Sequence, residues 1–148
     1  AHIQLRLTDQ LEAKTIPGIE GAFGPFFSPD GQWLGFSEGL SVPKLKKVQV
    51  VGGAVITLGD GTSRYGADWG RDGIIIFGAS RGGLSRISAA GGKAEVLTTP
   101  DPKKGDSEGT HRWPHILPDG RGVLFTIGDA GFARTTGNYD NARLRCLP

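Results

Sequence analysis

Three serines of this chain have the spacing of hydrolase nucleophiles. The pattern Gly-x-Ser-x-Gly occurs at residues 35–39, 78–82 and 105–109. In α/β-hydrolases this pattern forms a sharp turn from a strand into a helix, yet no helical periodicity follows any of the three copies. With 25 glycines among 148 residues, such matches are expected from composition alone. We therefore interpret Ser37 and Ser80 as strand-end or turn positions.

Ser107 has the neighbours that catalysis by a serine would need. It lies next to Asp106 and four residues before His111. A serine, a histidine base and a carboxylate can form a nucleophilic triad when the fold brings them together. A flexible polar loop explains the same stretch more simply. A serine hydrolase or esterase that uses Ser107, His111 and Asp106 is thus the alternative hypothesis, and the preferred interpretation is not an enzyme.

Two histidines four residues apart, His111 and His115, could share a zinc ion if they lay on one face of a helix. Pro114 and the surrounding pattern predict an extended strand instead, over which four residues span about 13 Å. The two rings therefore cannot bind one ion within a chain. Only His2 and Cys146 could add a further nitrogen or sulfur ligand. The sequence predicts neither a metal nor another cofactor.

The overall composition predicts a folded protein that is rich in turns. Glycine and proline contribute 25 and 9 residues, nearly twice their average share, which excludes a helical bundle. An apolar content of 37% with a net charge of +2 excludes a disordered chain. Basic residues are scattered rather than grouped in a stripe, so no nucleic-acid partner is predicted. No apolar run approaches the roughly 20 residues of a membrane span, and none is predicted.

An internal repeat predicts the fold. An Asp-Gly pair occurs at residues 30–31, 72–73 and 119–120, each time between an apolar stretch and a β-rich run. A Gly-Gly pair between two further β-rich runs follows at residues 52–53 and 91–92. Each pair suits a tight hairpin turn, so one repeat has four strands in about 42 residues, the period of a propeller blade. We predict an all-β fold of β-propeller-type blades, each with four antiparallel strands.

The predicted blades do not add up to a closed ring. Residues 24–60 and 66–100 are predicted to form complete blades, whereas residues 1–20 and 111–147 are predicted to form partial ones. The total is about three blades, and closed propellers have about 4 to 8. The sequence is therefore either a fragment of a longer protein or one chain of a homodimer in which two copies close one ring.

The residues around these turns resemble a known family. Residues 26–36 (FFSPDGQWLGF), 44–58 and 111–127 are similar to TolB-type, WD-like propeller repeats, and more specifically to the extracytoplasmic repeat region C-terminal to bacterial serine/threonine protein kinases. The resemblance implies a non-catalytic module that binds a protein, a peptide or a small ligand, with a sensor or interaction role in bacterial signalling. It also implies a location in the bacterial envelope.

The first strand of each repeat contains one apolar register. Aligned on the turn glycine, Phe27, Trp69 and Ile116 occupy equivalent positions. Because all three are apolar, we predict that they pack in the core between blades. Neighbouring residues of a strand face opposite sides, so the adjacent register is expected to point away from that core.

The adjacent register contains the candidate binding residues. It holds Phe26, Asp68 and His115, whose varied polarity suits a less buried face or a position beside the central channel, where a ligand would bind. Trp113 is either a further ligand contact or, in the preferred interpretation, blade core, because large aromatic side chains fill the space between blades. The candidate ligand-binding residues are Asp68, Arg112, Trp113 and His115.

Overall fold

The computed structural model describes residues 3–79, 82–101, 103, 108–129 and 143–147. These residues form strands and turns, without a helix in the described part of the chain. The strands are β1 (Gln4–Leu5), β2 (Lys14–Thr15), β3 (Phe23–Phe27), β4 (Trp33–Glu38), β5 (Lys44–Gln49), β6 (Ile56–Asp60), β7 (Ala67–Trp69), β8 (Ile74–Gly78), β9 (Leu84–Ser88), β10 (Glu95–Val96), β11 (Glu108–Ile116), β12 (Val123–Asp129) and β13 (Arg143–Leu147). No helix long and apolar enough to cross a membrane occurs among the described residues.

The strands pair in chain order into four antiparallel sheets. Two sheets have four strands, β3-β4-β5-β6 and β7-β8-β9-β10, and they are flanked by β1-β2 and by β11-β12-β13. Strand β3 contacts β7, and β7 contacts β11, so the first strands of successive sheets lie side by side. This arrangement confirms the predicted all-β fold of propeller-like blades with four antiparallel strands.

The repeated Asp-Gly and Gly-Gly dipeptides lie in hairpin turns at the same end of the blades. The turn glycines Gly31, Gly73 and Gly120 have φ of +69°, +78° and +71°, a conformation that side chains with a Cβ rarely adopt. The Asp-Gly turn and the Gly-Gly turn of one blade meet, because the Val50 N–H donates to the Gln32 carbonyl at 2.9 Å. We call this end of the molecule the turn end.

Each space between successive sheets contains its own hydrophobic cluster. The first cluster is centred on Phe36, which is fully buried. The second contains Phe26 and Trp69, whose ring centroids are 6.3 Å apart. The third is centred on Phe125. Both faces of each four-stranded sheet therefore pack against a neighbour. The expectation that the adjacent register points away from the core is wrong for Phe26, which is buried, whereas the His115 side chain of the same register is 72% exposed.

Two predictions for individual aromatic residues are also wrong. Phe27 is half exposed, whereas its neighbour Phe26 is buried. Phe27 is paired with Leu34 across β3 and β4 and lies on the same face of the sheet. That face is turned toward the short strands β1 and β2. The hydrophobic cluster on that side includes Leu34 but not Phe27. Trp113 is 38% exposed and belongs to none of the three clusters.

Candidate functional site

The turn end contains a groove that crosses three successive sheets. It consists of two adjoining cavities of about 470 Å³ and about 450 Å³. We call the pair the turn-end groove. The cavities share one wall, formed by Pro29, Trp69, Gly70 and Arg71. Because the walls come from residues that are far apart in sequence, the fold is what assembles this surface.

The first cavity, which we call the tryptophan half, is lined by large apolar side chains. Trp33 and Trp69 lie on either side of Lys47, with the Lys47 Nζ at 4.6 Å and 5.9 Å from the two ring centroids. The same ammonium donates a hydrogen bond to the Ala89 carbonyl at 2.8 Å. The cation–π contacts and the hydrogen bond hold the two rings in place. The lining residues of this half are Ser28, Pro29, Asp30, Trp33, Trp69, Gly70, Arg71, Gly73 and Ala89.

The second cavity, which we call the carboxylate half, has acidic side chains in its walls. Asp68 joins two blades here, because its Oδ2 accepts a hydrogen bond from the Ile116 N–H at 2.7 Å. His115 Nδ1 lies 3.4 Å from the same oxygen, and its side chain is 72% exposed. The lining residues are Pro29, Asp68, Trp69, Gly70, Arg71, Asp72, His115, Ile116, Leu117, Pro118, Asp119 and Gly120.

The aspartates of the Asp-Gly turns are held by backbone hydrogen bonds. The Ser28 hydroxyl and the Gln32 N–H both donate hydrogen bonds to the Asp30 carboxylate. These bonds, the one from Ser28 having the larger effect, lower the pKa of the Asp30 carboxyl below its usual value. The Arg121 N–H and the Arg121 side chain likewise bind Asp119 and lower the pKa of its carboxyl. Both carboxylates therefore stay ionised at neutral pH.

The third turn aspartate has the same structural role. Asp72 Oδ1 accepts a hydrogen bond from the Ile74 N–H at 3.0 Å. Beside it, the exposed Arg71 lines both halves of the groove. Among the described residues Arg71 has no ion-pair partner. It is thus a cation on the wall that the two halves share.

The four residues predicted to bind a ligand fall into two places. Asp68 and His115 lie together in the carboxylate half of the groove. Arg112 is buried, and its guanidinium stacks on the ring of Tyr65 with Cζ at 4.2 Å from the centroid. Trp113 lies next to it, and its N–H donates to the Tyr65 carbonyl at 2.7 Å. Neither Arg112 nor Trp113 is among the lining residues of the groove.

Trp113 has a backbone conformation that is unusual for a large side chain. Its φ is +49°, and it is the single non-glycine residue with positive φ in the described part of the chain. It lies in a β-bulge between Arg112 and His115. The equivalent residues of the two preceding blades are Gly24 and Gly66, with φ of +60° and +89°. Trp113 thus occupies a position at which the repeat otherwise has glycine.

The residues of the alternative hydrolase hypothesis are only partly described. Ser107 and Asp106 lie outside the described residues, as does Ser80. His111 is buried, with its Nδ1 at 2.7 Å from the Thr98 Oγ1 and its ring centroid 4.8 Å from that of Phe125. These contacts give His111 a packing role between strands.

Ser37, another serine of the Gly-x-Ser-x-Gly pattern, has a structural role. It is fully buried in β4. Its Oγ lies 2.9 Å from the Ser63 Oγ and accepts the Ser63 N–H at 2.7 Å. It therefore ties its blade to the segment that leads into the next blade. No group of three or more potential metal ligands occurs among the described residues.

Several groove residues were missed by reasoning from sequence alone. Trp33, Arg71 and Pro29 belong to the repeat motif itself, so their pattern indicated turns and core rather than a binding surface. Lys47 is one of the scattered basic residues and carried no separate signal. One signal could have identified Arg71, because it occupies the position at which the other two Asp-Gly turns have Pro29 and Pro118.

Comparisons with known proteins agree with this architecture. The structure of TolB from Acinetobacter baumannii superposes with a TM-score of 0.59 at 21% sequence identity. The chain has a TolB-like β-propeller fold. The match covers 91% of this chain but only 31% of the TolB chain, so the TolB-like region described here spans less than a third of that protein. No family model and no curated protein matches the sequence.

Proposed function

We propose that this TolB-like propeller chain is a non-catalytic binding module, and that it takes an extended segment of a partner protein into the turn-end groove. The observation that supports this proposal is the groove itself, which is continuous across three sheets. Each half has a volume of about 450 to 470 Å³, within the range of about 300 to 1,000 Å³ that is usual for ligand sites.

The groove has the two features that peptide-binding surfaces need. Trp33, Trp69 and Pro29 form an apolar wall with little conformational freedom, and large aromatic side chains of this kind dominate binding energy at interfaces. Charged groups of the carboxylate half lie alongside and would select the orientation and sequence of the bound segment.

The finer role follows from the sequence resemblance. We propose that the module acts as a sensor or interaction domain in bacterial envelope signalling, as the similarity to the repeat region of bacterial serine/threonine kinases implies. Closure of the ring by a second copy is a further part of this proposal. In that arrangement the turn-end groove of each copy would lie on a face of the ring that the two copies form together.

A displayed library of random peptides tests the proposed binding surface. The library is panned on the chain, and enriched peptides are then measured against Trp33→Ala, His115→Ala and the control Arg86→Ala, whose site lies on the outward half of a sheet and lines neither cavity. We expect the two groove variants to weaken binding and the control to bind like the original chain. Equal binding to all four proteins would refute the turn-end groove as the site.

A further inference from the structure

The charges and apolar walls of the turn-end groove are unevenly distributed. We propose that the partner segment is cationic and extended, with arginines in the carboxylate half and prolines in the tryptophan half. This inference rests on the proposed function and names the chemistry of its partner. It also predicts that substitutions of opposite charge within the groove have opposite effects on binding.

Acidic side chains outnumber basic ones in the walls of the groove. Among the described lining residues, the carboxylates are Asp30, Asp68, Asp72 and Asp119, and Arg71 is the single lysine or arginine. Arg121 lies outside the walls and pairs with Asp119 at 3.0 Å. The imidazole of His115 faces Asp68. The groove therefore has a negative balance, and a cationic segment is its electrostatic complement.

The turn carboxylates are held in positions where a bound cation can reach them. One oxygen of the Asp72 carboxylate accepts a hydrogen bond from the Ile74 N–H. A carboxylate can accept further hydrogen bonds in addition to this one. A guanidinium binds carboxylates through paired N–H groups more specifically than an ammonium does. For this reason we name arginine rather than lysine as the recognised residue.

The tryptophan half suits the extended helix that proline-rich segments form. Such segments bind aromatic-lined grooves through a preformed backbone that loses little entropy on binding. The Trp33 and Trp69 rings flank the Lys47 ammonium. Within the described part of the chain, neither indole N–H donates a hydrogen bond. Both residues line the groove, and the backbone carbonyls of a proline-rich segment have no internal hydrogen-bond partner.

Lys47 does not reverse this charge preference. Its ammonium is bound by the Ala89 carbonyl and lies against the tryptophan rings, and Lys47 is not among the described lining residues of the carboxylate half. We therefore expect the arginines of the partner to bind in the carboxylate half, and its uncharged prolines to bind in the tryptophan half, against which the Lys47 ammonium lies.

Three synthetic peptides test the chemistry by fluorescence anisotropy. The first alternates proline and arginine, the second alternates proline and glutamate, and the third alternates glycine and arginine. We expect the proline–arginine peptide to bind best and the proline–glutamate peptide not to bind. The glycine–arginine peptide should bind more weakly than the first, because it lacks both the apolar contacts and the preformed backbone.

Paired substitutions then locate the bound peptide. Asp72→Asn keeps the acceptor for the Ile74 N–H and removes one charge, so it should weaken binding of the proline–arginine peptide about two- to fivefold. Arg71→Gln removes the opposing charge and should strengthen binding by a similar factor. The matched controls are Asp60→Asn and Arg86→Gln, at exposed ion pairs outside the groove, and both should leave the affinity unchanged.

Trp33→Ala tests the tryptophan half and should weaken binding of the proline–arginine peptide about tenfold or more. Because Trp33 packs against the cluster between two blades, Trp33→Phe serves as the variant that keeps an aromatic ring, and thermal melting checks that both variants fold. Trp33→Phe should bind with an intermediate affinity.

The outcomes separate this inference from the proposed function. Tighter binding of the proline–glutamate peptide, or an Arg71→Gln variant that binds the proline–arginine peptide more weakly, would overturn the cationic partner. If the peptide library yields groove-dependent binders that are acidic or lack proline, the inferred chemistry fails and the binding module stands. If no binder depends on groove residues, both fail.

Discussion

The positive φ of Trp113 predicts a reversal of the usual order of stability between alanine and glycine. Trp113→Ala and Trp113→Gly both remove the indole ring, so the contacts of the ring cancel in the comparison. In an ordinary strand glycine is less stable than alanine by about 0.5–1 kcal/mol, because it loses more backbone entropy on folding. The left-handed conformation costs a residue with a Cβ about 1–2 kcal/mol. At residue 113 glycine should therefore be more stable than alanine, by about 0.5–1 kcal/mol.

Urea denaturation of the two variants measures this difference. The control is the pair Arg86→Ala and Arg86→Gly, at an exposed strand position of ordinary φ, where alanine should be the more stable residue. Both control variants lose the ion pair to Glu95 equally. An alanine at residue 113 that is as stable as glycine, or more stable, would refute the assignment of backbone strain to Trp113.

Three other predictions concern the links between blades and the turns. Asp68→Asn should lower the free energy of unfolding by about 1–3 kcal/mol, since it weakens a charge-assisted hydrogen bond to the Ile116 N–H; chemical denaturation measures this, and an unchanged midpoint would contradict the link. Ser28→Ala removes the main cause of the lowered pKa of Asp30, so this pKa should rise. The folded-state pKa lies below the unfolded one, so the stabilisation by Asp30 is present above the unfolded pKa and lost as pH falls through the folded pKa. In the variant it is lost at higher pH, and an NMR titration of the Asp30 carboxyl in both proteins that shows no difference would refute the contribution of the hydroxyl. Sedimentation should detect a dimer if two chains close one ring, and a stable monomer would exclude it.

The spacing of the turns was sufficient to predict the fold. Asp-Gly and Gly-Gly pairs determine where the chain reverses, and their period of about 42 residues is one that few architectures share. The backbone preferences of these turn residues are therefore what indicates the fold, and the structure confirms the four-stranded antiparallel sheets.

The packing of individual side chains was harder to predict because it depends on the neighbouring sheets. Alternation along β3 shows correctly that Phe26 and Phe27 face opposite sides, but it does not show what lies on either side. Phe26 meets Trp69 of the next sheet, whereas Phe27 faces the short strands β1 and β2. A single sequence contains no direct record of such contacts, and the assumption of one buried face failed here.

The same limit applies to the candidate site. Asp68 and His115 were identified because their polarity departs from the repeat, and they do lie together. Arg112 and Trp113 were grouped with them by proximity in sequence. The bulge at Trp113 turns the chain between Arg112 and His115, and period-two counting cannot anticipate a bulge.

The acidity of the turn-end groove is a consequence of how its turns are built. Asp30, Asp72 and Asp119 each accept a backbone N–H in their own turn, so any propeller with this repeat places carboxylates at the same end. Recognition must then depend on positions where the repeats differ. The tryptophan at residue 33 corresponds to Ile75 in the next repeat, and Arg71 replaces a proline. A turn aspartate therefore contributes to both folding and charge, whereas Arg71 and Trp33 are positions at which binding can be altered without changing the aspartate of the turn.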